Sequence, residues 1–404
     1  MSGIMKKWGI VLLINLVLLP VLALIPALAQ AEQVEASAEY EYGAAIIFTG
    51  KFNSKIPIEK AHLFFKAGST SDTFSGEASL TDDGTFTYVH DLARDPIRAF
   101  STIEYWFDLT LADGKTITGP KNSILYEDNR HEWEQRDRQP FRVHWYEGDT
   151  AFAQDVLDVA ELSLKNAQSY LPLSLDSAVN IYAYSNAKDM REVLSSFSKS
   201  WVGAHADPDL GVMVLSLPEG PEQRLEMERQ IPHELMHILL FNMIGTSYVN
   251  LPAWLSEGLA SIAELYPNPD YLVLLENAHD KGNLPSINSL CQSFPRDASG
   301  AFLAYAQSAS FTRYLHQRFG SSGMERLVRQ YADGLDCERG IEAALGIPLS
   351  QLEREWRKDV FGENIYLTAL NNMLPWLVFL LVVAIIPLVV VIAGRRRVTA
   401  NHQG

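Results

Sequence analysis

The sequence predicts a multidomain chain: an N-terminal all-β sandwich of immunoglobulin or fibronectin-III type, an α+β, mainly helical domain, and a C-terminal transmembrane helix. Three observations carry that reading. Short β-branched and aromatic runs alternate with turn signals over 40–127. Long helical patterns dominate after Phe141. An uncharged apolar run at 374–394 ends directly in Arg395, Arg396 and Arg397.

Residues 1–31 read as a signal peptide: Lys6 and Lys7, an uncharged run at 8–29, and small residues at Ala27, Ala29 and Ala31. An uncleaved anchor is the other reading, although Pro20 and Pro26 interrupt the run and favour the signal. Within 38–128, AAIIFTGKF, KAHLFFKA, GTFTYVHDL, TIEYWFDLTLA and KTITG are strand candidates. Asp82-Asp83-Gly84 and Asp113-Gly114 mark hairpin turns, because glycine accepts the positive φ such turns need. No catalytic residue types cluster here, so the module reads as a spacer or docking unit. The charged stretch 129–140 reads as a solvated linker or short helix.

In 141–364, FRVHWY and AVNIYAY read as strands on either side of a helix at 150–170. Further helical patterns cover 221–242, 253–265, 299–319 and 349–360. At ~1.5 Å per residue, 374–394 is long enough to span a bilayer. The arginines place the basic tail 395–404 in the cytoplasm by the positive-inside rule, and Lys6 and Lys7 lie on the same side. The expected location is therefore a cell membrane, single-pass, with lipid contact through the C-terminal helix. Everything between the two apolar segments falls on the extracytoplasmic side.

Composition narrows the partners. Of 404 residues, 47% are hydrophobic and two are cysteines, which excludes a disordered chain and a disulfide-stapled miniprotein. The net charge is -16, from 49 acidic and 33 basic residues. All the acids lie within 32–373 and five of the bases lie outside it, so that middle part carries -21. No basic surface is left to meet phosphates, and nucleic acid is excluded as a partner. Nothing in the sequence sets the oligomeric state.

The chemistry centres on His233-Glu234-Leu235-Met236-His237, inside a helical pattern. Histidines at i and i+4 share one helix face, so both imidazoles can bind one ion. Glu234 stands beside them, placed to act as general base toward metal-activated water. The motif is short and weak alone. Past it, Asn242, Gly245 and Pro252 supply a turn, and a second helical segment reads Ala253-Trp254-Leu255-Ser256-Glu257-Gly258-Leu259-Ala260. A catalytic zinc uses three protein ligands and one open position, and Glu257 completes a set with His233 and His237. The plainer alternative is that the histidines cap a core and Glu257 is an exposed helix acid.

An HExxH helix followed by W-L-x-E-G resembles the gluzincin metallopeptidases, most closely the peptidase MA-like domains of bacterial membrane proteins. The resemblance covers 141–362, with its specific part in 225–320. It implies a gluzincin-type fold for that domain, Zn2+ on His233, His237 and Glu257, and Glu234 as general base. The implied activity is hydrolysis of a peptide or protein substrate by an extracytoplasmic zinc peptidase. A catalytically inactive gluzincin-like surface receptor is the competing reading.

The resemblance extends to AYAQSASFTRYLHQRFG at 304–320. It places Tyr305 where gluzincins carry a donor to the developing oxyanion, and puts Tyr314, Leu315 and Gly320 at later family positions. Tyr305 also fits a packing stripe with Phe302, Ala309 and Thr312. Upstream, Asp209–Ser216 reads as the edge strand that would hold an extended substrate. The aminopeptidase branch has G-x-M-E-N there; this chain keeps Gly211 and Met213 but has Val214 and Leu215, which tilts the reading toward an endopeptidase. Glu264 reads either as a brace for a zinc histidine or as a solvated acid, and His205 falls in an expected loop. Cys291 and Cys337 are candidates to pair. Pro232, directly before His233, lacks the backbone donor of a helix interior, and the resemblance does not explain it.

Overall fold

A computed structural model of the chain describes residues 33–68, 72–194, 203–362, 373–381, 383 and 385. Two-residue alternation builds its N-terminal part. One sheet runs in the order β1 (Glu35–Glu41), β2 (Ala45–Lys51), β6 (Thr85–Asp91), β5 (Ser79–Leu80). The other runs β4 (Phe74–Glu77), β3 (Ile58–Ala67), β7 (Ser101–Leu111), and both β8 (Thr116–Thr118) and β9 (Asn122–Tyr126) pair with β7. Every second residue of β7 is buried, from Ser101 to Leu111, so one face enters a core. That core interleaves Phe48 with Phe65 (ring centroids 5.3 Å) and Phe86 with Phe107 (4.8 Å), one ring from each sheet. Gly84 and Gly114 take φ of +78° and +83° at the two expected hairpin turns. The β-sheet region thus matches the sandwich expected from the strand spacing.

The stretch expected as linker or short helix departs from that reading. Within 129–140 lies a strand, β10 (Glu134–Arg138), antiparallel to β11 (Phe141–Trp145). Its sequence EQRDR is charged because β10 is a sheet edge, where charged side chains stay in water and deter further pairing. From β11 the sheet continues through β12 (Val179–Tyr184) and β14 (Val212–Ser216), parallel to one another, to β13 (Ala204–Asp207), antiparallel at the far edge. One face, with Val143, Ile181, Ala183, Met213 and Leu215, packs on α1 (Thr150–Tyr170) and α3 (Gln223–Ile244).

The other face belongs jointly to both halves of the chain. Tyr182, Tyr184, Val212 and Val214 meet Phe100 and Ala99 from the sandwich, with α2 (Ala187–Leu194) closing the cluster. The rings of Phe100 and Tyr182 lie 4.0 Å apart. At the junction Asp128 is fully buried and held by Arg130 (2.8 and 2.9 Å) and by the Tyr184 hydroxyl (3.0 Å). Burial favours its neutral form, but Arg130 and Tyr184 outweigh burial and hold the carboxyl below its usual range.

A depressed carboxylate stabilises the fold above its unfolded pKa of about 3.9 and loses that contribution as pH falls through the depressed value. Asp128→Asn should therefore cost about 1–3 kcal/mol at pH 7, since it takes the charged acceptor from the buried Tyr184 hydroxyl, while Arg130, 38% exposed, keeps Glu192 as a partner. Denaturant unfolding checks this, and the gap to wild type should shrink below about pH 4.

The helical layer follows the periodic segments. α3, α6 (Ala298–Ala332) and α8 (Leu349–Phe361) fall on expected helices, and α4 (Ala253–Ala263) does too but stops short of the expected 265, leaving Glu264 as its extended C-cap; α5 (Asp270–Asp280) and α7 (Cys337–Leu345) are additional. α6 runs on beyond the expected 319 through a break at Gly320, whose φ of 63° lies outside the helical region. Cys291 and Cys337 form a disulfide between the segment before α6 and the start of α7. The segment expected as a signal, most of 374–394 and the basic tail lie outside the described residues. Among the described residues no helix is long and apolar enough to cross a membrane.

Candidate metal centre

α3 and α4 converge on one point. α3 presents His233 and His237 one turn apart, with ring centroids 5.2 Å from each other. α4 follows after a 3-10 turn at Gly245–Asn250 and brings Glu257 back over them. Glu257 Oε2 lies 3.3 Å from His233 Nε2 and 3.7 Å from His237 Nε2. All three ligand atoms fall within 4.8 Å of one another. Tetrahedral zinc with bonds of about 2.0–2.2 Å sets its ligand atoms roughly 3.3 Å apart, so the two imidazoles and the carboxylate fit zinc in both chemistry and spacing.

The remaining ring nitrogens are fixed from behind. His233 Nδ1 faces Glu264 Oε1 at 3.2 Å. His237 Nδ1 faces the Tyr248 hydroxyl at 2.8 Å and Ser256 Oγ at 3.3 Å. Partners of this kind orient the rings and leave each Nε2 toward the ion position. Glu264 is therefore the brace of the two readings given to it, and its side chain is 8% exposed. Tyr248 went unnoticed in the sequence: it lies in the turn between the motifs and belongs to neither pattern. Ser256 sits inside the second motif with nothing in the pattern to mark its role.

The field of the site suits a cation. At His233 burial opposes the charged form, but hydrogen bonds to Glu257 and Glu264 and the charge of Glu234 outweigh burial, and its pKa stands well above the usual value. At His237 burial prevails over Glu257 and Glu234, and the pKa falls. Glu234 itself is 8% exposed. Tyr305, near the start of α6, bonds Glu257 and packs edge-on to Phe294 at 5.0 Å. Burial, then the charges of Glu257 and Glu234, push its pKa up, so the phenol keeps its proton as a donor. Tyr314 lies farther along α6, buried, with its hydroxyl bonded by Arg318.

The second motif owes its residue types to packing. Trp254 is fully buried, edge-on to Phe311 at 5.2 Å, and its Nε1 donates to Cys337 Sγ at 3.3 Å. A Cβ on Gly258 would meet Thr312 Oγ1 at 2.1 Å and the Ser308 carbonyl at 2.7 Å. Gly258→Ala should therefore push α4 off α6, costing about 1–3 kcal/mol and displacing Glu257 next to it. A melting curve together with a zinc titration should show both effects; unchanged zinc affinity would mean that the approach does not set Glu257.

The substrate edge needs correction. β14, within the segment expected as the edge strand, is interior, and Val214 and Leu215 are fully buried. The edge is β13, which carries His205 on a strand rather than a loop. Hydrophobic content marked β14 as a strand but could not tell interior from edge. His205 Nε2 lies 3.5 Å from Asp207 Oδ1. Burial opposes its charged form, while Asp207 and then Glu234 raise its pKa above the usual value. Arg98 of the sandwich reaches Asp207 at 3.4 Å and Asp209 at 3.0 and 2.5 Å, tying that edge to the N-terminal half.

A family model described as the peptidase MA superfamily matches residues 160–362, the span that contains every residue of this centre. The chain belongs to the peptidase MA superfamily. Within this superfamily member, α3 and α4 supply the motif pair and α6 supplies Tyr305. No curated protein matches the chain. Solved structures give weak likenesses. A chain described as a myokine structure has TM-score 0.20 and 3% identity over 24% of this chain and 96% of its own. A polysaccharide deacetylase from Bacillus cereus gives 0.21 and 13%, covering 42% and 57%. A purple acid phosphatase from yellow lupin seeds gives 0.21 and 7%, covering 46% and 35%. Overlaps at these TM-scores bear on neither fold nor function.

Proposed function

We propose that this superfamily member is a zinc-dependent peptidase acting on peptides or proteins outside the cytoplasm. The observation that carries the reading is the triangle of His233 Nε2, His237 Nε2 and Glu257 Oε2, with Glu234 adjoining it. Zinc held there would supply Lewis acidity toward both the attacking water and the scissile carbonyl. Glu234 takes the proton of that water and passes it to the leaving amine. Tyr305 donates to the oxygen that gains charge, an interaction worth most in the transition state.

The outer edge of β13, which pairs with no other strand among the described residues, offers main-chain groups to an extended peptide. The acids beside that edge, Asp207 and Asp209, are engaged by Arg98 rather than set out as anchors for a substrate's amine. This favours internal cleavage. Membrane attachment through 374–394 and an extracytoplasmic catalytic domain belong to the same proposal. The Cys291–Cys337 disulfide supports an oxidising compartment.

Metal analysis and cleavage-site profiling of the purified protein test the function. One zinc per chain, internal cuts in N-terminally blocked peptides, and loss of activity with a chelator, restored by zinc, are expected. Stoichiometric zinc without turnover of any peptide would instead make the centre a peptide-binding groove.

A further inference from the structure

We infer that Pro232 is a positioning residue for the metal centre, which it serves by freeing a backbone carbonyl that fixes Glu264 against His233. In a regular helix the N–H of residue 232 would bond the carbonyl of Glu228, four residues back. Proline has no N–H, and its ring crowds that same carbonyl outward. α3 nevertheless runs unbroken from Gln223 to Ile244 across Pro232. The released Glu228 carbonyl accepts instead from the Leu265 N–H at 2.9 Å. Leu265 directly follows Glu264, the C-cap of α4, whose Oε1 meets His233 Nδ1 at 3.2 Å.

One missing donor in α3 thus creates the acceptor that docks the end of α4. The docked residue is the neighbour of the carboxylate that orients the next residue along α3, His233. On its other side the end of α4 is tied by Asn166 Nδ2, which donates to the Ala263 carbonyl at 2.8 Å. That bond holds the last helical residue and leaves Glu264 and Leu265 to the Glu228 carbonyl. Glu264 has φ -54° and ψ 131°, an extended conformation outside the helix. Its side-chain direction is therefore set by this docking and not by helical geometry.

The inference rests on the zinc-site reading but needs no turnover to test. Pro232→Ala restores an N–H that competes for the Glu228 carbonyl. Leu265→Pro removes the same bond from the other side, and the extended backbone of Glu264 already suits a following proline. Each variant is expected to weaken zinc binding about 10-fold, the lower end for losing the partner that orients a ligand histidine. The double variant should weaken it no further. Pro232→Ala should not lower the melting temperature, because alanine is the better residue inside a helix, whereas a merely structural proline would give unchanged zinc affinity. Amide exchange at Leu265 in the metal-free chain gives a second readout, with protection expected to fall in Pro232→Ala. Zinc affinity within twofold of wild type, or undiminished protection at Leu265, overturns the inference. Zinc binding that responds as expected in a chain that cleaves nothing would sink the peptidase reading alone.

Discussion

Glu234→Gln should abolish peptide cleavage while zinc stays bound. The substitution keeps the size and hydrogen-bonding reach of a side chain that is 8% exposed, so packing around α3 is unchanged. It removes the carboxylate that accepts a proton, and general-base catalysis of this kind is worth about 10²- to 10⁴-fold. Because Glu234 is not one of the three converging ligand groups, zinc content should remain one per chain. Cleavage by the variant at the wild-type rate with zinc present would remove Glu234 from the mechanism. Loss of zinc along with activity would show that Glu234 supports the site electrostatically instead.

Glu257→Ala should cost the metal itself. The carboxylate is the one ligand group from α4 and stands 3.3 and 3.7 Å from the two imidazoles. Without it two nitrogens remain, fewer than the three protein ligands of a catalytic zinc site. Zinc affinity should fall by more than the 10- to 100-fold typical of losing an outer hydrogen-bonding partner. Titration against a competing chelator measures this, and no peptide cleavage should survive at limiting zinc. Retained affinity would move the third ligand elsewhere.

The candidate metal triad was legible because its convergence depends on short-range periodicity. Histidines at i and i+4 must share a helix face, and one turn suffices to return a second helix. The groups that hold those histidines were less legible. Glu264 could be placed on the right helix, but whether it is buried depends on where Leu265 docks, which is a contact across 37 residues of sequence. Tyr248 carries no periodic signal at all, since it sits in a 3-10 turn.

The sandwich was visible in its strand spacing and turn glycines, whereas its union with the second half was not. Phe100, Arg98 and Asp128 look like ordinary loop residues until Tyr182, Asp209 and Tyr184 arrive from far along the chain. For the same reason the charges of β10 suggested a solvated linker: composition records polarity, but not that one side of a strand is paired.

The burial of Asp128 has a consequence for the newborn chain. Its shield includes Tyr184, which is 56 residues downstream. At about 5–20 residues per second, roughly 3–11 s separate synthesis of the two. During that interval the sandwich can be complete while the carboxylate, and the aromatic surface around Phe100, are still open to water. The last steps of its consolidation therefore belong to the half of the protein that carries the candidate metal centre, and a ribosome-stalled chain ending before 179 should carry a solvent-exposed patch that the finished protein hides.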